Sequence, residues 1–199
     1  SSTSRGLGDV YKRQERATLG AGCFWCIEAI YKRLKGVTQV LTGYSGGHII
    51  NPGFSEVCEG RTGHAEVCEL EFDPSIITFE EILEVFWLIH DPTTLNRQGN
   101  DVGPVYRSAI FYHSKVQKQI AEKSKLKYDA RKTYSKPIVT EITKWKNFYP
   151  AGEKHNSFFE NHREEPYCRF VVLPKVEKFK MNFPSCLLYT SPSPRDVEE

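Results

Sequence analysis

Two thiols, Cys23 and Cys26, stand in the stretch GAGCFWCIEAIYKRLKG (Gly20 to Gly36), with Phe24 and Trp25 between them. Ile27, Ile30, Tyr31 and Leu34 recur at helical spacing and Gly36 supplies a stop, so the pattern predicts a helix with Cys23 in or just before its first turn. Unpaired N–H groups and the helix dipole favour an anion there. The position therefore predicts a lowered thiol pKa and a nucleophile at neutral pH. The alternative is a small buried apolar residue, as most free cysteines are; the glycines before Cys23 and the second thiol favour chemistry. Residues i and i+3 of a helix have Cβ atoms about 5–6 Å apart and a disulfide needs about 4 Å, so a small adjustment in a fraying first turn lets Cys26 close on Cys23.

Glu66 lies in an alternating run, His64 to Phe72, in which Glu66, Cys68, Leu70 and Phe72 share one face. A carboxyl on an apolar face has a raised pKa and serves as a general acid near pH 7; a strand-end carboxylate reaching water fits the pattern equally. Phe24 and Trp25 form an apolar box for a small group such as a methyl if they are not simply core aromatics. Tyr44, Tyr106 and Asp101 border Gly-rich loops, where side chains are presented to ligands. Cys23, Cys26, Cys58, His64 and Cys68 also permit a zinc-stabilised binding module, but nine residues separate Cys58 from Cys68, against the short knuckles of structural zinc sites. No metal is expected.

The elements that must position these residues follow from the rest of the pattern. Ala17 to Leu19 is an apolar lead-in, Val37 to Tyr44 a strand, and Ser45 to Phe54 a Gly/Asn/Pro-rich loop. Thr78 and Glu81 form a capping box for a helix carrying Phe79, Ile82, Leu83, Phe86 and Trp87, which Asp91-Pro92 ends. A polar segment from Thr93 to Gly103 leads to a strand at Tyr106 to Tyr112. A helix from Ser114 to about Tyr128 and a strand at Pro137 to Thr143 follow. This alternation predicts a mixed α/β sandwich with helices mainly on one side of the sheet and long Gly-rich loops.

The 199 residues, 39% hydrophobic and 13% aromatic, suffice for one domain with a core. With 27 basic against 25 acidic residues spread along the chain, neither nucleic acid nor a polyanion is indicated as partner. No apolar run approaches the roughly 18 residues of a membrane span. Six cysteines are too sparse for a disulfide scaffold and point to redox chemistry in a reducing compartment, hence a cytoplasmic protein. Residues 1–14 and 181–199 read as non-domain tails resembling translated adapter sequence, leaving residues 15–180 as the domain.

Five motifs in register, Gly22-Cys23-Phe24-Trp25, Gly43 to Gly47, Gly63-His64-Ala65-Glu66, Asn96 to Asp101 and Tyr106-Arg107-Ser108, resemble those of the peptide methionine sulfoxide reductase A family. The resemblance implies an α+β fold, a two-layer sandwich with a ferredoxin-like core. It implies thiol-dependent reduction of the S epimer of methionine sulfoxide, free or in proteins, with Cys23 as nucleophile, Phe24 and Trp25 around the substrate methyl, and Glu66 protonating the sulfoxide oxygen. Tyr44 and Tyr106 would be its hydrogen-bonding partners and Asp101 part of the polar shell. It further implies a sulfenic acid and a disulfide recycled by thioredoxin, or dithiothreitol in vitro, with no bound cofactor, in a monomer. Cys168 resembles the C-terminal resolving cysteine of many members; local spacing favours Cys26, with Cys168 as alternative or second relay thiol. Pro104-Val105 and Glu153 to Asn156 depart from the family pattern and bear on the groove for protein substrates. A thioredoxin-like dithiol oxidoreductase is the rival enzyme reading, but Trp25 falls inside the Cys pair rather than before it.

Overall fold

The computed structural model describes residues 14–186, so most of both expected tails lies outside the described residues. In chain order the elements are β1 (Glu15–Ala21), α1 (Phe24–Tyr31), β2 (Val37–Ser45), α2 (Phe54–Cys58), β3 (Ala65–Phe72) and α3 (Phe79–Ile89). A short hairpin, β4 (Arg97–Gln98) and β5 (Asp101–Val102), and a 3₁₀ turn, Pro104–Tyr106, precede β6 (Ser108–Tyr112). Then come α4 (Lys115–Ala130), β7 (Glu141–Lys144), β8 (Tyr149–Pro150), α5 (Phe158–Asn161), a π-helical stretch at Cys168–Val172 and α6 (Leu173–Asn182).

Strands β1, β2, β3 and β6 with α1 and α3 form a βαββαβ unit in the order β6-β1-β3-β2, every neighbouring pair antiparallel, which is a ferredoxin-like core. β7 extends it in parallel beside β6 and β8 closes the other edge, giving a mixed six-stranded sheet. Period-two alternation decides the layers. Cys68, Leu70 and Phe72 of β3 join the main core with Ile27, Ile30 and Phe86 of the helices. Ala65 and Val67 point to the opposite face, where Ala109 and Phe111 are covered by Trp145 and Phe148 rather than by a helix. Helices thus cover mainly one side, and α3 starts at the predicted capping box of Thr78 and Glu81.

Four elements differ from the sequence pattern. α1 stops at Tyr31; Leu34 still reaches the core from a turn, and Gly36, at φ +92°, swings the chain into β2. The strand expected from Tyr106 begins at Ser108, because Gly103 (φ +136°) and Pro104 start a 3₁₀ turn that takes Val105 and Tyr106 out of the sheet. The strand expected from Pro137 is confined to Glu141–Lys144: the Ile138 N–H is spent on Asp129 and the Val139 N–H on the Pro92 carbonyl. α6 runs through Asn182, across the boundary drawn at residue 180, and buries Val176 and Phe179.

Candidate active site

β1 delivers its chain to the site through Gly22, whose φ of +89° and close approach to the Gln98 side chain leave no room for a Cβ. Cys23 follows as the N-cap of α1 and is buried. The next backbone N–H, that of Phe24, donates to Glu66 Oε2 at 3.0 Å. One of the helix's unpaired donors is thus satisfied by the acid itself, and nucleophile and acid are tied to adjacent residues. Burial pushes the Glu66 carboxyl up to about 8, outweighing the Phe24 N–H that favours its anion, so it is protonated at neutral pH. Of the two sequence readings of Glu66, the buried acid is the one realised.

The expectation of a lowered Cys23 pKa is corrected. Burial, the hydrogen bond to Cys26 and the proximity of Glu66 push the Cys23 thiol up, and the Trp25 N–H only partly offsets them. Desolvation exceeds the helix-terminus effect because this N-cap is packed over rather than open to water. The sulfur of Cys26 receives the Cys23 hydrogen bond and is held below the ordinary thiol range, with Lys175 and the Tyr167 hydroxyl also favouring its anion. Cys168, at the start of the π-helical stretch, is buried and interacts electrostatically with Cys26. Cys23 and Cys26 are thus electrostatically coupled to each other, and Cys168 to Cys26, all three thiols buried.

Tyr44 faces Glu66 across the β2–β3 ladder and packs its ring 5.8 Å from that of Phe24. Its hydroxyl is buried with no hydrogen-bond partner. Burial and the Glu66 charge raise the pKa of both Tyr44 and Tyr106, so both remain proton donors. Asp101 accepts a 2.7 Å hydrogen bond from Tyr167. Trp25 is half-buried, sandwiched by Phe158 at 3.8 Å and a 7° tilt, with Tyr167 edge-on at 5.8 Å. Its Nε1–H donates to His155 Nδ1 at 3.3 Å, which puts the remaining imidazole proton on Nε2; burial keeps the ring neutral, and that N–H too has no partner. His155, Phe158 and Tyr167 were not assigned roles from the sequence. His155 stood in the Glu153 to Asn156 stretch noted only as a departure from the family pattern, and Tyr167 beside Cys168.

The zinc alternative finds no support: among the described residues no three or more His, Cys, Asp or Glu side chains gather as metal ligands. His64 spends Nδ1 on the Gly47 N–H and Nε2 on the Ile49 carbonyl, and Cys68 lies under α1 with its sulfur 3.5 Å from the Phe24 carbonyl. A groove of about 640 Å³ between α3 and α6, lined by Trp87, Tyr134, Lys175 and Phe179, contains neither Cys23 nor Glu66.

A buried, coupled thiol pair, a carboxylic acid on the adjoining N–H and unspent tyrosine and imidazole donors, set on a ferredoxin-like sandwich, fit a cysteine-dependent reductase of an oxygen-bearing substrate. Residues 15–186 match the family described as peptide methionine sulfoxide reductase. Peptide methionine sulfoxide reductase MsrA of Sulfolobus acidocaldarius is 55% identical over 85% of this chain and 96% of its own, and that of a Thermus thermophilus strain is 48% identical over 87% and 98%. Among solved structures, reduced Mxr1 from Saccharomyces cerevisiae superposes with TM-score 0.74 at 34% identity, covering 78% of this chain and 90% of that one. Mxr1 in complex with Trx2 matches with TM-score 0.53 at 29% identity, covering 72% and 84%. The chain belongs to the peptide methionine sulfoxide reductase family.

Proposed function

We propose that this chain reduces methionine S-sulfoxide, free or in proteins, through a Cys23 sulfenic acid and then a disulfide that thioredoxin returns to thiols. It is a thiol-dependent methionine sulfoxide reductase by family. The observation that carries the mechanism is the buried Glu66 carboxyl held on the N–H beside Cys23, where burial raises its pKa and keeps it an acid. A sulfoxide is a poor electrophile until its oxygen accepts a proton. Glu66 gives that proton while the Cys23 sulfur forms its bond to the substrate sulfur, and the resulting carboxylate takes the proton that Cys23 gives up. This exchange lets a thiol that is neutral at rest act as the nucleophile. The hydroxyl then passes from the substrate sulfur to the Cys23 sulfur as the sulfur–oxygen bond and the newly formed sulfur–sulfur bond both break, so that the two-electron reduction of the sulfoxide releases methionine and the matching oxidation of the thiol leaves Cys23 as a sulfenic acid. Tyr44 and Tyr106 hold the oxygen, and Phe24 and Trp25 receive the methyl.

Cys26 is the resolving thiol in this reading. Its attack on the sulfenic acid forms the Cys23–Cys26 disulfide and expels water, and exchange with Cys168 passes the disulfide to a segment that a dithiol reductant can engage. The Mxr1–Trx2 complex of the yeast relative supports thioredoxin as that reductant. Cytoplasmic residence, supported by the sparse cysteine usage, and a monomeric state belong to the same proposal.

The test is turnover of separated S and R epimers of a methionine sulfoxide peptide with dithiothreitol. The S epimer alone should react and Cys23→Ser should be inactive; comparable R turnover would refute the proposal. With thioredoxin, Cys26→Ser should complete one turnover and then stall, and normal recycling in that variant with stalling in Cys168→Ser would reassign the resolving role.

A further inference from the structure

Glu66 and Tyr44 are held by the sheet, where they pair directly across the β2–β3 ladder. Tyr106 is not. It ends the 3₁₀ turn that carries the chain from β5 to β6, and its N–H goes to the Gly103 carbonyl at 3.1 Å within that turn. Val105 beside it is buried, but apolar burial is non-directional, so it fixes the depth of the turn and not the bearing of the tyrosine. The next residue supplies the direction. The Arg107 side chain, 15% exposed, spends three nitrogens on three segments: Nη1 donates to the Pro104 carbonyl at 2.9 Å, Nη2 to the Gly63 carbonyl at 3.0 Å and Nε to Glu141 Oε2 at 3.1 Å. Pro104 opens the turn of Tyr106, Gly63 stands two residues before β3 and three before Glu66, and Glu141 opens β7. The Gly63 end is itself fixed, because His64 holds the Gly47 N–H and the Ile49 carbonyl, and a Cβ on Gly63 would lie 3.3 Å from Gly47 Cα. Arg107 and Glu66 also close on β1 from its two sides: a Cβ on Gly20 would lie 3.2 Å from the Arg107 carbonyl and 3.3 Å from that of Glu66.

We propose that Arg107 is a positioning residue: its guanidinium ties the Pro104–Tyr106 turn to the chain entering β3, and so sets the gap between the Tyr106 hydroxyl and Glu66 in which the sulfoxide oxygen is held. The inference rests on the reading of Tyr106 as a donor to that oxygen. Glu66, Asp101 and Cys23 all act electrostatically on the Tyr106 hydroxyl, which places it among the reacting groups. A displacement of about 1 Å at such a group costs up to about 10²-fold in rate, so a turn outside the sheet needs a directional hold. The planar guanidinium offers donors that diverge in one rigid fork, and a lysine, with a single nitrogen on a flexible stem, cannot meet three separate acceptors in their place. Arginine also keeps its charge throughout the working range of pH, so the hold does not titrate.

The experiment measures the single-turnover rate of methionine release from an S-sulfoxide peptide, below the melting temperature of every variant. Arg107→Lys should lose about 10-fold, the scale of one misplaced donor to the oxygen. In the Tyr106→Phe background the same substitution should cost less than about twofold, because the hydroxyl it would misplace is already gone. A general loosening of the fold slows both backgrounds alike, so an equal loss in the two would overturn the proposal. Arg107→Gln, which also removes the charge, should leave the fall in rate above about pH 8 where Glu66 sets it. A displaced limb would make Arg107 an electrostatic partner of the acid rather than a positioning residue. If neither Arg107 variant folds, Glu141→Ala frees the guanidinium on its β7 side and should cost about threefold, the scale of one part-exposed ion pair, with the same dependence on Tyr106; an unaltered rate there also overturns the proposal. Normal turnover by Tyr106→Phe overturns the reading of the tyrosine and this inference with it. A slowed Tyr106→Phe beside a normal Arg107→Lys overturns the role of Arg107 alone.

Discussion

Two buried polar clusters flank the end of β1, one on each neighbouring strand, and they are finished differently. On the β6 side, His90 donates from Nδ1 to the Phe86 carbonyl at 2.6 Å, its Nε2 accepts from Ser108 at 2.7 Å, and Ser108 meets Thr140 at 2.7 Å. Every group named there has a partner, and burial drives the imidazole pKa down to about 3, so the ring stays neutral. On the β3 side, the Tyr44 hydroxyl and the His155 Nε2–H are buried without partners. An unmet buried donor costs about 1–3 kcal/mol, so the second network carries a cost that the first does not. The closed cluster is scaffold; the open one is where the proposed reaction places the sulfoxide oxygen.

The largest expected effect lies on the open side. Glu66→Gln should lower kcat by about 10²-fold or more, the scale of a lost general acid, while preserving the fold. The parent rate should fall as pH rises past about 8, where the Glu66 carboxyl loses its proton, and this limb should vanish in the variant. Unchanged rates across pH would make Glu66 a structural carboxyl and erase the contrast between the two clusters.

A smaller effect sharpens the same contrast. Tyr44→Phe and Tyr106→Phe should each cost about 10-fold in kcat/KM, because the remaining donors still hold the oxygen. Tyr44→Phe removes a hydroxyl that has no partner in the resting protein, so the melting temperature should hold or rise slightly. A loss exceeding that of Glu66→Gln would move the acid role to the tyrosine.

What the sequence made legible was local. Capping by Thr78 and Glu81, the helix after Cys23 and the face shared by Glu66, Cys68, Leu70 and Phe72 are set within a few residues, and the structure realises each. What it left unread comes from chain return. His155 reaches Trp25 across 130 positions and Tyr167 reaches Asp101 across 66, and no periodicity encodes such meetings. The direction of the Cys23 shift failed for the same reason: a helix N-terminus is visible in sequence, but the packing that desolvates it is tertiary. α6 escaped notice because its lysines outnumber its buried positions, Val176 and Phe179, and a π-helical stretch blurs its start.

The smallest effect on activity is expected from the closed cluster, and Ser108→Ala isolates it. Ser108 opens β6 directly opposite Ala21, so it is as near the end of β1 as the reactive groups are. Its hydroxyl touches His90 and Thr140 only within the network, and removing it leaves an imidazole acceptor and a threonine hydroxyl unmet in the interior. The cost should be about 1–3 kcal/mol, which for a domain of this size lowers the melting temperature by roughly 2–4 °C per kcal/mol. His90 itself has a depressed pKa in the fold, so its contribution is present above about 6.5 and is lost as pH falls towards about 3. Acid melting should therefore steepen over that window in the parent. kcat/KM for the S epimer should stay within about twofold of the parent at neutral pH, since no group facing Glu66 or Cys23 changes. Loss of activity in Ser108→Ala at an unchanged melting temperature would show that the β6 cluster takes part in the reaction, and that a fully paired network is not by itself the mark of scaffold.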